Sequence, residues 1–169
     1  EEVPYDNPEN SEIKMIRSAD PVEYVLTQPM EAPPGKVWKY NGGTTQLLAA
    51  IIEKTTGLKI DSFANENLFL PLGITQFEWA KYPGTDLPAA ASGLRLRSRD
   101  LLNFAFLYNN KGKWNDKQLI PEKWIEESFQ PQVKRDGGAY GYQFWMWEER
   151  AGDRTIPLVA CVGNRDQRI

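Results

Sequence analysis

The residues best suited to chemistry lie in "KYNGGTTQLLAAIIEKTTG", 39–57, where a tyrosine and two adjacent glycines precede an apolar helix pattern. A free phenol titrates near ~10, too high for a base at neutral pH, but the positive end of a helix and a nearby ammonium both favour the phenolate. Tyr40 is therefore a candidate for proton transfer. Gly42 and Gly43, which carry no side chain, would let the backbone approach a bound molecule closely. The competing reading of Tyr40 is a ring packed over a turn with its hydroxyl in water.

Absences narrow the chemistry. The 169 residues hold no histidine, which excludes a Ser-His-Asp triad, a Cys-His pair and His-based zinc sites within this chain. The single cysteine, Cys161 in "PLVACVG", can form no internal disulfide and reads as a small buried apolar residue. The paired acids Glu126-Glu127 and Glu148-Glu149 have no metal or glycosidase spacing and read as surface. No metal and no cofactor is expected, so the work falls to Ser, Lys, Tyr, Asp and Glu.

Ser11-Glu12-Ile13-Lys14 has the lettering of a Ser-x-x-Lys pair. It lies in the acidic, proline-bearing opening "EEVPYDNPENSEIK", read as a loop, where nothing would desolvate the lysine and lower its pKa. It is set aside as a nucleophile. A net charge of −3 makes no electrostatic case for nucleic acid or an anionic membrane. No apolar run approaches the ~20 residues of a bilayer span.

The elements that must position these residues follow from periodicity. "ADPVEYVLTQPM" reads as a short helix opened by Pro21, and "EAPPGKVWKY" as an extended arm. After Gly43, Leu47, Leu48, Ile51 and Ile52 share one helix side and Gln46, Glu53 and Lys54 the other. Thr44 or Thr45 is placed to cap the start, and Gly57 the end. "IDSFANENLFLPLG" reads as a second amphipathic helix, and 74–97 as irregular. Helices follow from Ser98 to Gly112 and from Pro121, joined by "KWNDKQLI", a loop or short ribbon. The alternating run with Tyr140, Tyr142, Phe144, Trp145 and Trp147 and the run "TIPLVACVG" then predict a hairpin about "RAGDR". Most of those aromatics should face a core, and Tyr142 and Trp145 are the candidates to line a substrate groove. Arg95, Arg97 and Arg99 read as a solvated surface.

In this order, "PPGKVWKYNGGTTQLLAAIIEKTTG", "NENLFLPLGI", "ASGLRLRSRDLLNFAFLYNNKGKWNDKQLIPEKWIEES", "YGYQFWMW" and "GNRDQRI" resemble the serine β-lactamase-like superfamily. That group includes class C β-lactamases, D-alanyl-D-alanine carboxypeptidases (penicillin-binding proteins) and esterases. The resemblance runs from about Val22 to the end. It implies an α+β fold: a mostly helical subdomain followed by a C-terminal antiparallel β-hairpin, a fragment of the β-lactamase/transpeptidase-like fold. The divisions expected are a surface loop over 1–20, a helical subdomain over 21–130 and a hairpin over 138–169.

The family's mechanism uses an acylated serine and a lysine from Ser-x-x-Lys, a proton-transfer partner from Tyr-x-Asn or Ser-x-Asn, and a strand-borne Lys-Thr-Gly or equivalent. The resemblance gives Tyr40 the tyrosine slot, with Gly42 where the motif has Asn. Gly163 and Asn164 fall in the third region, where Arg165 and Asp166 replace the relatives' small residues. The substrate-binding candidates are thus Gly42, Gly43, Tyr142, Trp145, Gly163 and Asn164, and the catalytic one Tyr40. The nucleophile is expected in polypeptide outside this sequence.

Two functions follow from the resemblance. One is a fragment of a serine hydrolase forming an acyl-enzyme with a β-lactam, a D-Ala-D-Ala peptide or an ester. The other, motivated by Gly42, Arg165 and Asp166, is a non-catalytic binding module on a degenerate scaffold. The partners implied are a small-molecule or peptide substrate, and self-association or pairing with the rest of the parent through the hairpin's open edge. Family analogy places such proteins in the periplasm or outside the cell.

Overall fold

The computed structural model describes residues 3–163 and 167–169. The chain divides into two units, 1–97 and 98–169, each with its own packing. The helices that follow Ser98 belong to the second unit with the sheet.

In the first unit, α1 (Ser11–Arg17) and α2 (Pro21–Leu26) precede α3 (Gly42–Thr56) and α4 (Ile60–Ala64), which runs into a π-helical turn over Asn65–Phe69. α1 corrects the expectation of a loop over 1–20. Buried Asn10 caps it, its Oδ1 accepting from the N–H groups of Glu12 and Ile13. That satisfies donors a helix start otherwise leaves open. Asp20 caps α2 in the same way, with Pro21 in the first turn. Met15, Tyr82 and Ala89 form one buried apolar cluster, with Ile16, Tyr24, Val25 and Leu87 packed against it.

The 74–97 stretch, expected to be irregular, contains an antiparallel ribbon of β1 (Phe77–Trp79) and β2 (Leu94–Leu96). Trp79 Nε1 donates to the Ala89 carbonyl at 2.9 Å, and Ala89 N–H to the Ala80 carbonyl at 2.9 Å, so the intervening turn is tied to the ribbon.

In the second unit, α5 (Ser98–Asn109) is followed by the two-residue ribbon of β3 (Lys113–Trp114) and β4 (Lys117–Gln118), then α6 (Glu122–Ser128). A four-stranded antiparallel sheet comes next: β5 (Val133–Arg135), β6 (Gly138–Gly141), β7 (Phe144–Ala151) and β8 (Arg154–Ala160), in that spatial order. The expected hairpin about "RAGDR" is β7–β8, with Ala151 opposite Arg154. The single strand expected over Tyr140–Trp147 is broken in two by a tight turn at Tyr142-Gln143, both at positive φ. A short pair, β9 (Val162–Gly163) and β10 (Gln167–Arg168), ends the chain. Phe144 from β7 meets Tyr108 of α5 at 5.2 Å and Phe129 at 5.2 Å, edge to face, which seats one sheet face on the helices. No helix among the described residues is long and apolar enough to cross a membrane.

Candidate functional site

The extended arm ends at Asn41, whose backbone is in the β region and whose Oδ1 accepts from the Gly43 N–H at 2.7 Å. The cap is thus Asn41 and not Thr44 or Thr45, because α3 starts at Gly42. Thr44 instead donates its hydroxyl back to the Asn41 carbonyl at 2.7 Å. Tyr40, one residue before the cap, is 39% exposed, at the positive end of a helix of 15 residues. The neighbouring Lys39 ammonium is paired with Glu31 at 3.0 Å.

Gly42 and Gly43 are both buried. A Cβ on Gly42 would stand 3.1 Å from Glu12 Oε2 and 3.2 Å from the Ala91 methyl; one on Gly43 would stand 2.8 Å from Val25 Cγ2. Protein atoms occupy the space next to both glycines, so packing supplies a reason for them that needs no ligand.

The α3 surface turned inward within this unit is Gly42, Gly43, Gln46 and Ala49, whereas Leu48 and Ile51 are exposed. Leu48 and Ile51 of the apolar side are therefore out, Leu47 and Ile52 are half-buried, and Gln46, from the polar side, is 0% exposed. Gly42 and Gly43 let the 80–92 turn and α2 come close, and that closeness decided the face. Gln46 Oε1 accepts from the Ala90 N–H at 2.9 Å and from the Tyr82 hydroxyl at 3.1 Å. Its Nε2 is buried with no hydrogen-bond partner among the described residues. Burying an unpaired amide N–H costs about 1–3 kcal/mol. The orientation is nonetheless dictated, since a flipped amide would set NH₂ against the Ala90 N–H, donor against donor. Burial, and then the Glu12 charge, push the Tyr82 phenol up to about 12, so it stays a neutral donor. Nothing in the local sequence marks Gln46; its partners are 36 and 44 residues away.

The Ser11 and Lys14 pair does stand at a helix start, contrary to the loop expected there, yet both side chains are exposed. Lys14 bonds Glu9 at 2.7 Å, and that bond and charge raise its pKa, the wrong direction for a base. Arg95 binds both oxygens of Glu78 at 3.1 Å on an open groove of about 480 Å³ along β1–β2, which does not include Tyr40.

In the second unit, Tyr142 occupies the β6–β7 turn and not a strand. Its ring lies edge-on to Trp124 at 5.1 Å and its hydroxyl donates to Glu127 at 3.4 Å. Trp145 is in β7, opposite Tyr140 on one side and Ala160 on the other. It stacks edge-to-face with Tyr140 at 4.9 Å, under the Arg135 guanidinium at 4.8 Å. Tyr142 and Trp145 thus have separate surroundings. Gly163 pairs with Gln167 and is exposed; the Asn164, Arg165 and Asp166 assignments lie outside the described residues. Burial raises the Cys161 thiol. No group of three His, Cys, Asp or Glu side chains is gathered for a metal among the described residues.

Comparison with known proteins adds the following. Residues 2–158 match the family described as Beta-lactamase. Lovastatin esterase of Penicillium rubens is 32% identical over 85 residues, which are 50% of this chain and 20% of that protein. Among solved structures, a putative 6-aminohexanoate-dimer hydrolase from Bacillus anthracis aligns with TM-score 0.67 at 25% identity, over 84% of this chain and 41% of that one. The octameric penicillin-binding protein homologue from Pyrococcus abyssi aligns with TM-score 0.64 at 21% identity, over 87% of this chain and 40% of that one. The α+β fold expected from the sequence is the β-lactamase/transpeptidase-like fold these structures share. The chain spans less than half the length of each of these relatives.

Proposed function

We propose, because the chain belongs to the Beta-lactamase family, that it is the Tyr40-bearing part of a serine hydrolase cleaving amide or ester bonds. The nucleophilic serine comes from polypeptide outside this sequence. Its Oγ bonds to the substrate carbonyl carbon, the C–N or C–O bond breaks, and the serine proton passes by way of the Tyr40 oxygen to the leaving group. Water then adds to the acyl-enzyme, releases the acid and restores the serine.

The single observation that supports this most is Tyr40 itself: a solvent-reachable phenol one residue before the cap of a 15-residue helix. Gly42, Gly43, Tyr142, Trp145, Gly163 and Asn164 remain its proposed substrate-binding residues. Pairing with the rest of the parent, or self-association, belongs to the same reading and would use β8, which lies at an end of the four-strand order.

The test uses the complete reading frame that carries this chain. Tyr40→Phe should lower kcat on a p-nitrophenyl ester or nitrocefin by about 10²–10⁴-fold, the range for losing a proton-transfer group. It should also slow acylation by a fluorophosphonate or fluorescent penicillin. Unchanged acylation and turnover in Tyr40→Phe would reject the assignment.

One observation favours the second reading, a binding module without catalysis: Gly42 stands in the motif's Asn slot and Glu12 crowds the side-chain space there. A full-length protein that both acylating reagents leave unlabelled would support it; covalent labelling of a serine would remove it.

A further inference from the structure

We infer that Gln46 is a positioning residue for the Tyr40 site, its buried carboxamide oxygen docking the Ala90-Ala91 turn against Gly42 at the start of α3. The catalytic meaning rests on the reading of Tyr40 proposed above; the docking itself does not.

The path is contiguous. Gln46 sits one helical turn after Gly42, wholly buried, and its Oε1 receives both the Ala90 N–H and the Tyr82 hydroxyl. The next residue, Ala91, presses its methyl to within 3.2 Å of the point a Cβ on Gly42 would take. Gly42 follows the cap residue Asn41, which follows Tyr40. The turn's other ties, Trp79 Nε1 to the Ala89 carbonyl and Ala89 N–H to Ala80, fix it to the β1–β2 ribbon and not to the helix. Among the described hydrogen bonds of this turn, those that reach α3 end on this one oxygen. An amide is suited to this: it stays neutral at every pH, so the acceptor is always present. A methionine of similar length would leave the Ala90 N–H and the Tyr82 hydroxyl unpaired inside the protein.

Glutamate is the informative replacement. When protonated it keeps an acceptor oxygen for Ala90 and Tyr82. When ionised it still accepts from both donors, while burial and the Glu12 charge felt at Tyr82 oppose the negative charge. Gln46→Glu should therefore keep the dock, most securely at low pH, where the side chain is neutral as glutamine is.

The experiment is amide hydrogen exchange at Ala90 together with ¹⁹F NMR of 3-fluorotyrosine placed at position 40, both independent of turnover. In Gln46→Met, exchange at Ala90 should rise at least about tenfold, exchange at Ile52 in α3 should change less than about twofold, and the fluorine resonance should move. Gln46→Glu at pH 5 should hold both signals at their wild-type values. An unchanged Ala90 rate or an unmoved fluorine resonance in Gln46→Met overturns the inference. If Gln46→Met unfolds, Gln46→Glu decides: signals at pH 5 that differ from wild type overturn it as well. If both signals behave as expected while Tyr40→Phe leaves turnover intact, the catalytic reading of Tyr40 fails and the docking role of Gln46 stands.

Discussion

Val25 of α2 packs directly on Gly43 of α3: Cγ2 of the valine lies 2.8 Å from where a Cβ on the glycine would stand. A Cβ on Gly42, one residue earlier, would meet the flexible end of Glu12 at 3.1 Å and the Ala91 methyl at 3.2 Å. Valine is stiff at χ1 and yields little, whereas a glutamate carboxylate swings aside.

The two glycines should therefore differ. Overpacking costs typically 1–3 kcal/mol, while Ala gains about 1 kcal/mol over Gly in a helix. Gly43→Ala is expected to destabilise the protein by about 1 kcal/mol and Gly42→Ala to be near neutral, by urea denaturation. Val25→Ala combined with Gly43→Ala should recover part of the loss. Equal effects at the two positions would contradict the packing account.

Asn41 supports the same helix tip by a different device, the 2.7 Å bond from the Gly43 N–H to its side chain. Asn41→Ala should cost about 1 kcal/mol, and Asn41→Asp or Asn41→Ser should retain most of the stability, because both keep a capping oxygen. Circular dichroism during thermal unfolding checks this. An alanine variant as stable as the wild type would mean that the cap contributes nothing.

How far the sequence disclosed this tip can be read from α3. Gly57, at φ 76, and the apolar period marked the helix and its end. They could not mark its inward face, because Leu48 and Ile51 are more apolar than Gly43, Gln46 and Ala49; the closeness of α2 and the 80–92 turn selects the glycines, and the Ala90 and Tyr82 hydrogen bonds hold Gln46. Helix α1 had a signal that the nearby prolines obscured: Asn10 followed by an acidic first turn, then Ile13, Met15 and Ile16. The break between β6 and β7 had none, since Tyr142-Gln143 contains no Gly, Asn or Asp. Tyr40 was legible because its place before the helix is local. Gln46 was not, because its role depends on Tyr82 and Ala90.

Ser11 offers a direct check on where the nucleophile is not. Hydrogen bonding to Glu9, then its charge, raises the Lys14 pKa, so the ammonium holds its proton across the neutral range and cannot accept one from Ser11. Ser11→Ala should leave ester turnover and fluorophosphonate labelling within experimental error of wild type. Activity abolished by that substitution would reinstate the pair.

Acid should weaken the first unit through Asp86, which binds the ammonium groups of both Lys59 and Lys81. Hydrogen bonds from Lys59 and Lys81, reinforced by their charges, lower its carboxyl from 3.8 to about 2. A depressed carboxyl stabilises the fold above its unfolded pKa and stops doing so as pH falls through the folded one. The difference in Tm between wild type and Asp86→Asn should hold steady above about pH 5 and close between about pH 4 and pH 2. The site is exposed, so the gap should be small and shrink in salt. A gap that widens on acidification would contradict the sign.

The β6–β7 connection should yield to a single glycine. Gly141 and Phe144 are the last cross-strand pair, leaving Tyr142 at φ 46 and Gln143 at φ 74 as the two loop residues. Two-residue hairpin turns of this kind need positive φ, which costs a non-glycine residue roughly 1–2 kcal/mol. Gln143→Gly removes that strain at the price of some unfolded-state entropy, and should stabilise the protein by about 0.5–1 kcal/mol. Tyr142→Gly should gain less, because it also loses the edge-on contact with Trp124. Urea denaturation followed by tryptophan fluorescence separates the two. A Gln143→Gly protein no more stable than wild type would mean that backbone conformation is not what limits this turn.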